Sequence, residues 1–182
     1  MRELILYTSV LPAHAMTAVT FRETVDHFTP PCKLILDQST RTGFSIWDKH
    51  NSLVAVGVLY KESNSSVTSY KYEAIPRLDD FITRFEINEI LLEDVFLQNV
   101  ETYETLLYIK HSIEDLGHLR GIPVGAVPSS KWKQILARPN KFNAEDEKAE
   151  VRKYVEKAFP LLFTGVYSVQ ITEDMVDSLG MG

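Results

Sequence analysis

The chain has 182 residues, 45% of them hydrophobic, so it is long enough to bury a core as one ordinary domain and too apolar to be disordered. A single cysteine, Cys32, excludes an intramolecular disulfide and a cysteine-rich zinc site, and fits a reducing compartment such as the cytoplasm. A net charge of −6 runs against the basic footprint of an ordinary nucleic-acid binder, although carboxylates gathered around metal ions add to that total while serving a phosphate ligand.

No apolar run approaches the length of a membrane span, so no membrane attachment is expected. The opening MRELILYTSVLPAHAM faintly mimics a secretion signal, but Glu3 interrupts it and no long apolar region follows. We read it as part of the mature protein. Residues 1–32 are an N-terminal extension to a domain spanning 33–182. A strand is expected over Leu4 to Ser9 and a short helix over Met16 to Phe28, closed by Pro30-Pro31. A tail, an arm and an interface element are all compatible with this segment.

Three strands follow, Lys33 to Asp37, Phe44 to Asp48 and Leu53 to Tyr60, rich in β-branched and aromatic residues. Gln38 to Thr42 forms a polar turn after the first, and Lys49 to Ser52 the turn after the second. Glu62 to Ser69 is a polar loop. Ile75, Leu78, Phe81, Ile82 and Phe85 recur at helical spacing, which predicts a helix over Tyr70 to Phe85 with Pro76 near its first turn. Asn88 to Phe96 reads as a strand. Thr102 to Leu119 reads as a helix ended by Gly117 and Gly121, with Tyr103, Leu106, Ile109, Ile113 and Leu116 on one face.

Ile122 to Val127 is a short strand, and Pro128-Ser129-Ser130 opens a turn or helix cap before Lys131-Trp132-Lys133. Asn143 is the expected N-cap of a helix over Ala144 to Phe159, whose first turn carries Glu145, Asp146 and Glu147. Val166 to Ile171 is an extended piece, and Thr172 caps a final short helix. No internal repeat or low-complexity tract interrupts the chain. Strands followed by alternating helices and strands make a mixed sheet with helices packed on it, in the α/β class.

Four acids stand out. Asp37 and Glu93 each end an apolar strand, where an unpaired charge is costly to desolvate. Asp174 and Asp177 are three apart on a helix and project from one face. Each has a plain alternative: Asp37 can cap its turn, and Asp174 and Asp177 can be solvated surface acids. Four carboxylates converging on one site would raise one another's pKa unless cations neutralised them. Hard oxygen ligands of this kind suit Mg²⁺ or Mn²⁺, and two such ions about 3.5–4 Å apart support in-line phosphoryl displacement.

The segments LILDQSTRTGFSIWD, LLEDVFLQN, IPVGAVPSSKWKQ, EKAEVRKYV and TEDMVDSLGM resemble, in order and separation, the successive motifs of RuvC-type Holliday-junction resolvases. The resemblance spans 33–182, and its DQST turn is similar to the phage-borne branch, which would act in a bacterial host's cytoplasm. It implies a ribonuclease H-like fold, a mixed five-stranded sheet flanked by helices. It also implies a homodimer that cuts four-way junctions and other branched DNA with Mg²⁺, or Mn²⁺ as substitute, two ions per site, leaving 5′-phosphate and 3′-hydroxyl ends.

Carried over by residue, the resemblance makes Asp37 the first-strand metal ligand, Glu93 the central one, and Asp174 and Asp177 the final pair. Lys148 joins them in the catalytic set, and Lys133 falls near the scissile backbone. Phe96 takes the position of an aromatic that wedges against bases, though a core role is equally open to it. Arg41 and Lys131, with Arg138 and Lys141, are further candidates for phosphate contacts. The chain departs from the pattern where Ser39 replaces a glycine and where Gly180 and Gly182 weaken the last helix. Relatives also continue that helix beyond the position of Gly182. None of these departures removes a ligand.

Three other functions compete with this one. A sugar-kinase or actin-like ATPase needs a Gly-rich phosphate loop and about twice the length. A non-catalytic junction-binding module is compatible with the fold but leaves four intact acids unexplained. A ribonuclease H-like RNA-processing nuclease differs only in substrate. The five histidines share no metal-like spacing, and Cys32 reads as a small buried hydrophobe.

Overall fold

Alternate residues of the strand Cys32–Asp37 enter two different cores: Leu34 and Leu36 belong to one, Ile35 to the other. A strand apolar on both faces has to be covered on both, and this one lies inside a sheet sandwiched between two helical layers. The computed structural model describes residues 4–9, 17–23, 28–39, 41–60, 67–95, 100–136, 144–163 and 173–182.

The strands are β1 (Leu4–Ser9), β2 (Thr17–Glu23), β3 (Cys32–Asp37), β4 (Arg41–Trp47), β5 (Leu53–Tyr60), β6 (Ile87–Glu93) and β7 (Val124–Val127). They form one sheet in the order β1-β2-β5-β4-β3-β6-β7. The members β1 to β5 pair antiparallel, whereas β6 runs parallel to β3 and β7 parallel to β6. The strands β3 to β7 are the mixed five-stranded sheet expected from the sequence, and β1 and β2 extend it at the free edge of β5.

The helices are α1 (Val67–Arg84), α2 (Val100–Arg120), α3 (Ser129–Leu136), α4 (Ala144–Ala158) and α5 (Glu173–Met181). Tyr70, Leu78, Phe81 and Ile82 of α1 and Ile109, Ile113 and Leu116 of α2 cover one face of the sheet. Trp132 of α3, Val151 and Val155 of α4, and Met175, Val176 and Leu179 of α5 cover the other.

Three expectations change. Thr17–Glu23 is a strand, not part of a helix over Met16 to Phe28. Its alternating β-branched and aromatic residues suit a pleated surface, and β5 offers an open edge to pair with. The helix α1 begins at Val67, so Pro76 sits mid-helix rather than in the first turn. Pro76 is exposed, so water can reach the carbonyl that its missing N–H leaves free. Asp48 ends beyond its strand and works in the following turn. Its carboxylate accepts N–H bonds from His50 at 2.8 Å, Ser52 at 2.9 Å and Thr29 at 3.5 Å.

Asp48 thereby ties the segment entering β3 to the β4–β5 turn. Although burial pushes its carboxyl upward, the N–H groups of Ser52, His50 and Thr29 outweigh it and hold the group below the usual carboxylate range. Gly121, at φ 67°, ends α2 in the left-handed conformation that glycine adopts without strain. Asn143, Val166 to Ile171 and Thr172 lie outside the described residues.

Candidate active site

Because β3 and β6 are parallel neighbours, their last residues emerge at the same end of the sheet. Those residues are Asp37 and Glu93. The crevice beyond the carboxyl ends of parallel strands is where ligands of open α/β sheets bind. The two carboxyls are hydrogen-bonded to each other.

The third and fourth acids arrive on α5, and a glycine lets them in. Gly43 pairs with Asp37 across β3 and β4, and any Cβ there would collide with the main-chain carbonyl of Asp174. The absence of a side chain at 43 therefore seats the start of α5 directly against the strand beside Asp37. Further along, Ser45 Oγ donates to the Ser178 carbonyl at 2.9 Å, and Trp47 Nε1 donates to Ser45 Oγ at 2.9 Å. Gly180 lies where a Cβ would press on Trp132 and Leu136, so this glycine trades helix propensity for close packing.

Electrostatics joins all four acids. Burial, and then the charges of Glu93, Asp177 and Asp174, push the Asp37 carboxyl up to about 8, and its hydrogen bond with Glu93 adds to this. Burial pushes Asp177 up to about 6 against the opposing pull of Lys133 and Lys148, with Glu93 and Glu173 raising it further. Lys133 Nζ stands 3.9 Å from Glu93 Oε1 and 3.8 Å from Glu147 Oε1. Lys148 of α4 reaches the same site through its charge on Asp177.

Among the described residues, no three acid side chains surround one point closely enough to ligate an ion as they stand. Asp37 and Glu93 instead hydrogen-bond each other. The carboxyls of Asp37 and Asp177, both raised by burial, nevertheless belong to a set of oxygen donors that a hard divalent cation satisfies. The residues present fit Mg²⁺ or Mn²⁺.

The structure thus brings together Asp37, Glu93, Asp174 and Asp177 with Lys133 and Lys148. Lys131 is exposed near the start of α3, and Arg41 opens β4. Phe96, Arg138 and Lys141 lie outside the described residues. Two participants escaped sequence reading. Trp132 donates its indole N–H to Glu93 Oε1 at 3.2 Å, and Gln38 donates its Nε2 to the Glu93 carbonyl at 2.6 Å. The only sequence signal was their adjacency to Lys133 and Asp37.

The sheet order, the two helical layers and the acids at the strand ends define a ribonuclease H-like fold. That fold is similar to the fold of RuvC. The structure of T. thermophilus RuvC in complex with Holliday junction substrate matches at a TM-score of 0.65 and 16% identity, covering 85% of this chain and 90% of that one. A second Thermus thermophilus RuvC structure matches at 0.63 and 18%, covering 83% and 90%. No family model and no curated sequence matches.

Proposed function

We propose that this protein is a divalent-metal-dependent endonuclease that nicks branched DNA, four-way junctions above all. One observation carries this reading: four carboxylates from β3, β6 and α5 converge electrostatically at the carboxyl end of a RuvC-like sheet. The RuvC of similar architecture was captured with a Holliday junction substrate.

Asp37, Glu93, Asp174 and Asp177 would hold the cations, two per site. When bound, such ions lower the pKa of water and neutralise charge developing on phosphodiester oxygens. The chain's own residues do the rest. Trp132 holds one oxygen of Glu93, leaving the other to turn toward a cation. Lys133 and Lys148 put positive charge beside the acids, where a DNA phosphate would approach, and so offset the protein's acidic total. Symmetrical cutting of a four-way junction needs two sites, so the acting species is a homodimer. Recognition rests on junction shape through phosphate contacts more than on base identity.

The test is a substrate panel: a labelled four-way junction, a linear duplex and an RNA–DNA hybrid, each with Mg²⁺ or EDTA. Nicking of the junction in Mg²⁺ alone is expected. Ready cutting of the hybrid with the junction intact would point to an RNA-processing nuclease instead.

A further inference from the structure

The parallel ladder between β3 and β6 stops just short of the two acids that end those strands. Its register runs from Cys32↔Ile87 to Leu36↔Leu92. Beyond it, Asp37 pairs outward with Gly43 of β4, and Glu93 pairs outward with Val127 of β7. The Asp94 N–H also donates to the Val127 carbonyl, at 2.8 Å. Main-chain pairing thus holds each acid to its outer neighbour and leaves the spacing between the two strand ends unset.

Gln38 closes that gap. Its Nε2 donates to the Glu93 main-chain carbonyl at 2.6 Å, adding a side-chain rung past the last main-chain pair of β3 and β6. The residue is 6% exposed, and its buried Oε1 has no partner among the described residues. An apolar side chain of similar size would fill this place without stranding an acceptor, so what the amide contributes is its donor. The turn that carries Gln38 is itself held. Thr42 Oγ1 donates to the Ser39 carbonyl at 2.7 Å, and the buried Tyr70 of α1 meets the Thr42 hydroxyl at 2.9 Å. Because the one Thr42 proton goes to Ser39, Tyr70 is the donor. A continuous tie therefore runs from α1 through the turn to the end of β6.

The Asp37 and Glu93 carboxyls hydrogen-bond each other, but that bond needs a proton that a cation displaces. What fixes their spacing around a cation must then act through the main chain. We infer that Gln38 is a positioning residue that sets the spacing of Asp37 and Glu93 for a divalent cation, by anchoring the Glu93 main chain. The inference rests on the metal-binding part of the reading above and adds to it the side chain that preorganises the cation site. Trp132 orients the Glu93 side chain, and Gln38 holds the backbone from which it springs.

The test is Mn²⁺ binding to the full chain without DNA, measured by calorimetry well below the melting temperature. Gln38→Met, similar in length but without a donor, is expected to raise the Kd for Mn²⁺ about tenfold. Asp48→Ala is the control, because it loosens a turn at the opposite end of β4. It should melt earlier than wild type and bind Mn²⁺ equally well. An unchanged Kd in Gln38→Met overturns the inference even if that variant melts earlier, since that is the mark of a merely structural role. So does a loss of affinity that Asp48→Ala shares. If Gln38→Met does not fold, Gln38→Asn, whose amide has a shorter reach, takes its place under the same outcomes. Wild type that binds Mn²⁺ but cuts no junction overturns the nuclease reading and leaves the positioning role standing. Wild type that binds no Mn²⁺ overturns both.

Discussion

The indole of Trp132 reaches from α3 to the end of β6 and donates to Glu93 Oε1 at 3.2 Å, while its ring packs in the core beneath α5. One side chain thus ties the orientation of one candidate-site acid to the seating of the helix that carries two others. Replacing Trp132 with Phe keeps most of the apolar contact and removes the donor. We expect a folded protein that cuts a four-way junction about tenfold more slowly, since a hydrogen bond to a charged group contributes roughly 1.5–3 kcal/mol. Single-turnover cleavage, with circular dichroism as the folding control, checks this.

Gly43 makes the sharper steric prediction. A methyl group at this position meets the Asp174 carbonyl, which is backbone and cannot swing away as a side chain can. Gly43→Ala should destabilise the fold by about 1–3 kcal/mol and displace α5, reducing cleavage further than that loss of stability alone accounts for. Urea unfolding beside cleavage rates at low temperature separates the two effects.

The acids also predict how stability follows pH. Asp37 is raised to about 8 and Asp177 to about 6, above their unfolded values near 4, so the folded state binds more protons across that interval. Their contribution is complete below pH about 4 and is lost as pH rises towards 8. Metal-free protein should therefore melt at lower temperature at pH 8 than at pH 5.5. Mg²⁺ should restore much of the difference at pH 8, and Asp37→Asn should flatten the metal-free dependence. Thermal melts with and without EDTA read all three.

Asp48 acts in the opposite sense. Its folded pKa is lowered, so its contribution is present above pH about 4 and fades as pH falls through the folded value. Asp48→Ala should lower the melting temperature at pH 7 and narrow its gap to wild type at acid pH, because three N–H groups lose their acceptor. A gap that stays constant with pH would show that the carboxylate's charge is not what matters.

The sequence disclosed Asp37 and Glu93 well, because each terminates a short apolar run and the parallel pairing then places both at one rim. Asp174 and Asp177 were readable as a same-face pair, but their convergence with the others depends on Gly43, whose role exists only across the β4–α5 contact. Trp132 was unreadable for the same reason: it and Glu93 are 39 positions apart, and nothing local links them. Thr17–Glu23 looked helical in isolation and became a strand because β5 had an unpaired edge. Its Thr, Val and Phe residues already suited a strand, and the open edge of β5 supplied the partner.

Whether the converging carboxylates serve cleavage is read from a labelled four-way junction in Mg²⁺ incubated with wild type and with Asp37→Asn and Glu93→Gln, with junction binding measured in parallel. We predict nicking by wild type, loss of at least about a hundredfold in each variant, and binding retained. Cleavage by either variant at the wild-type rate would contradict the metal-ligand roles of Asp37 and Glu93.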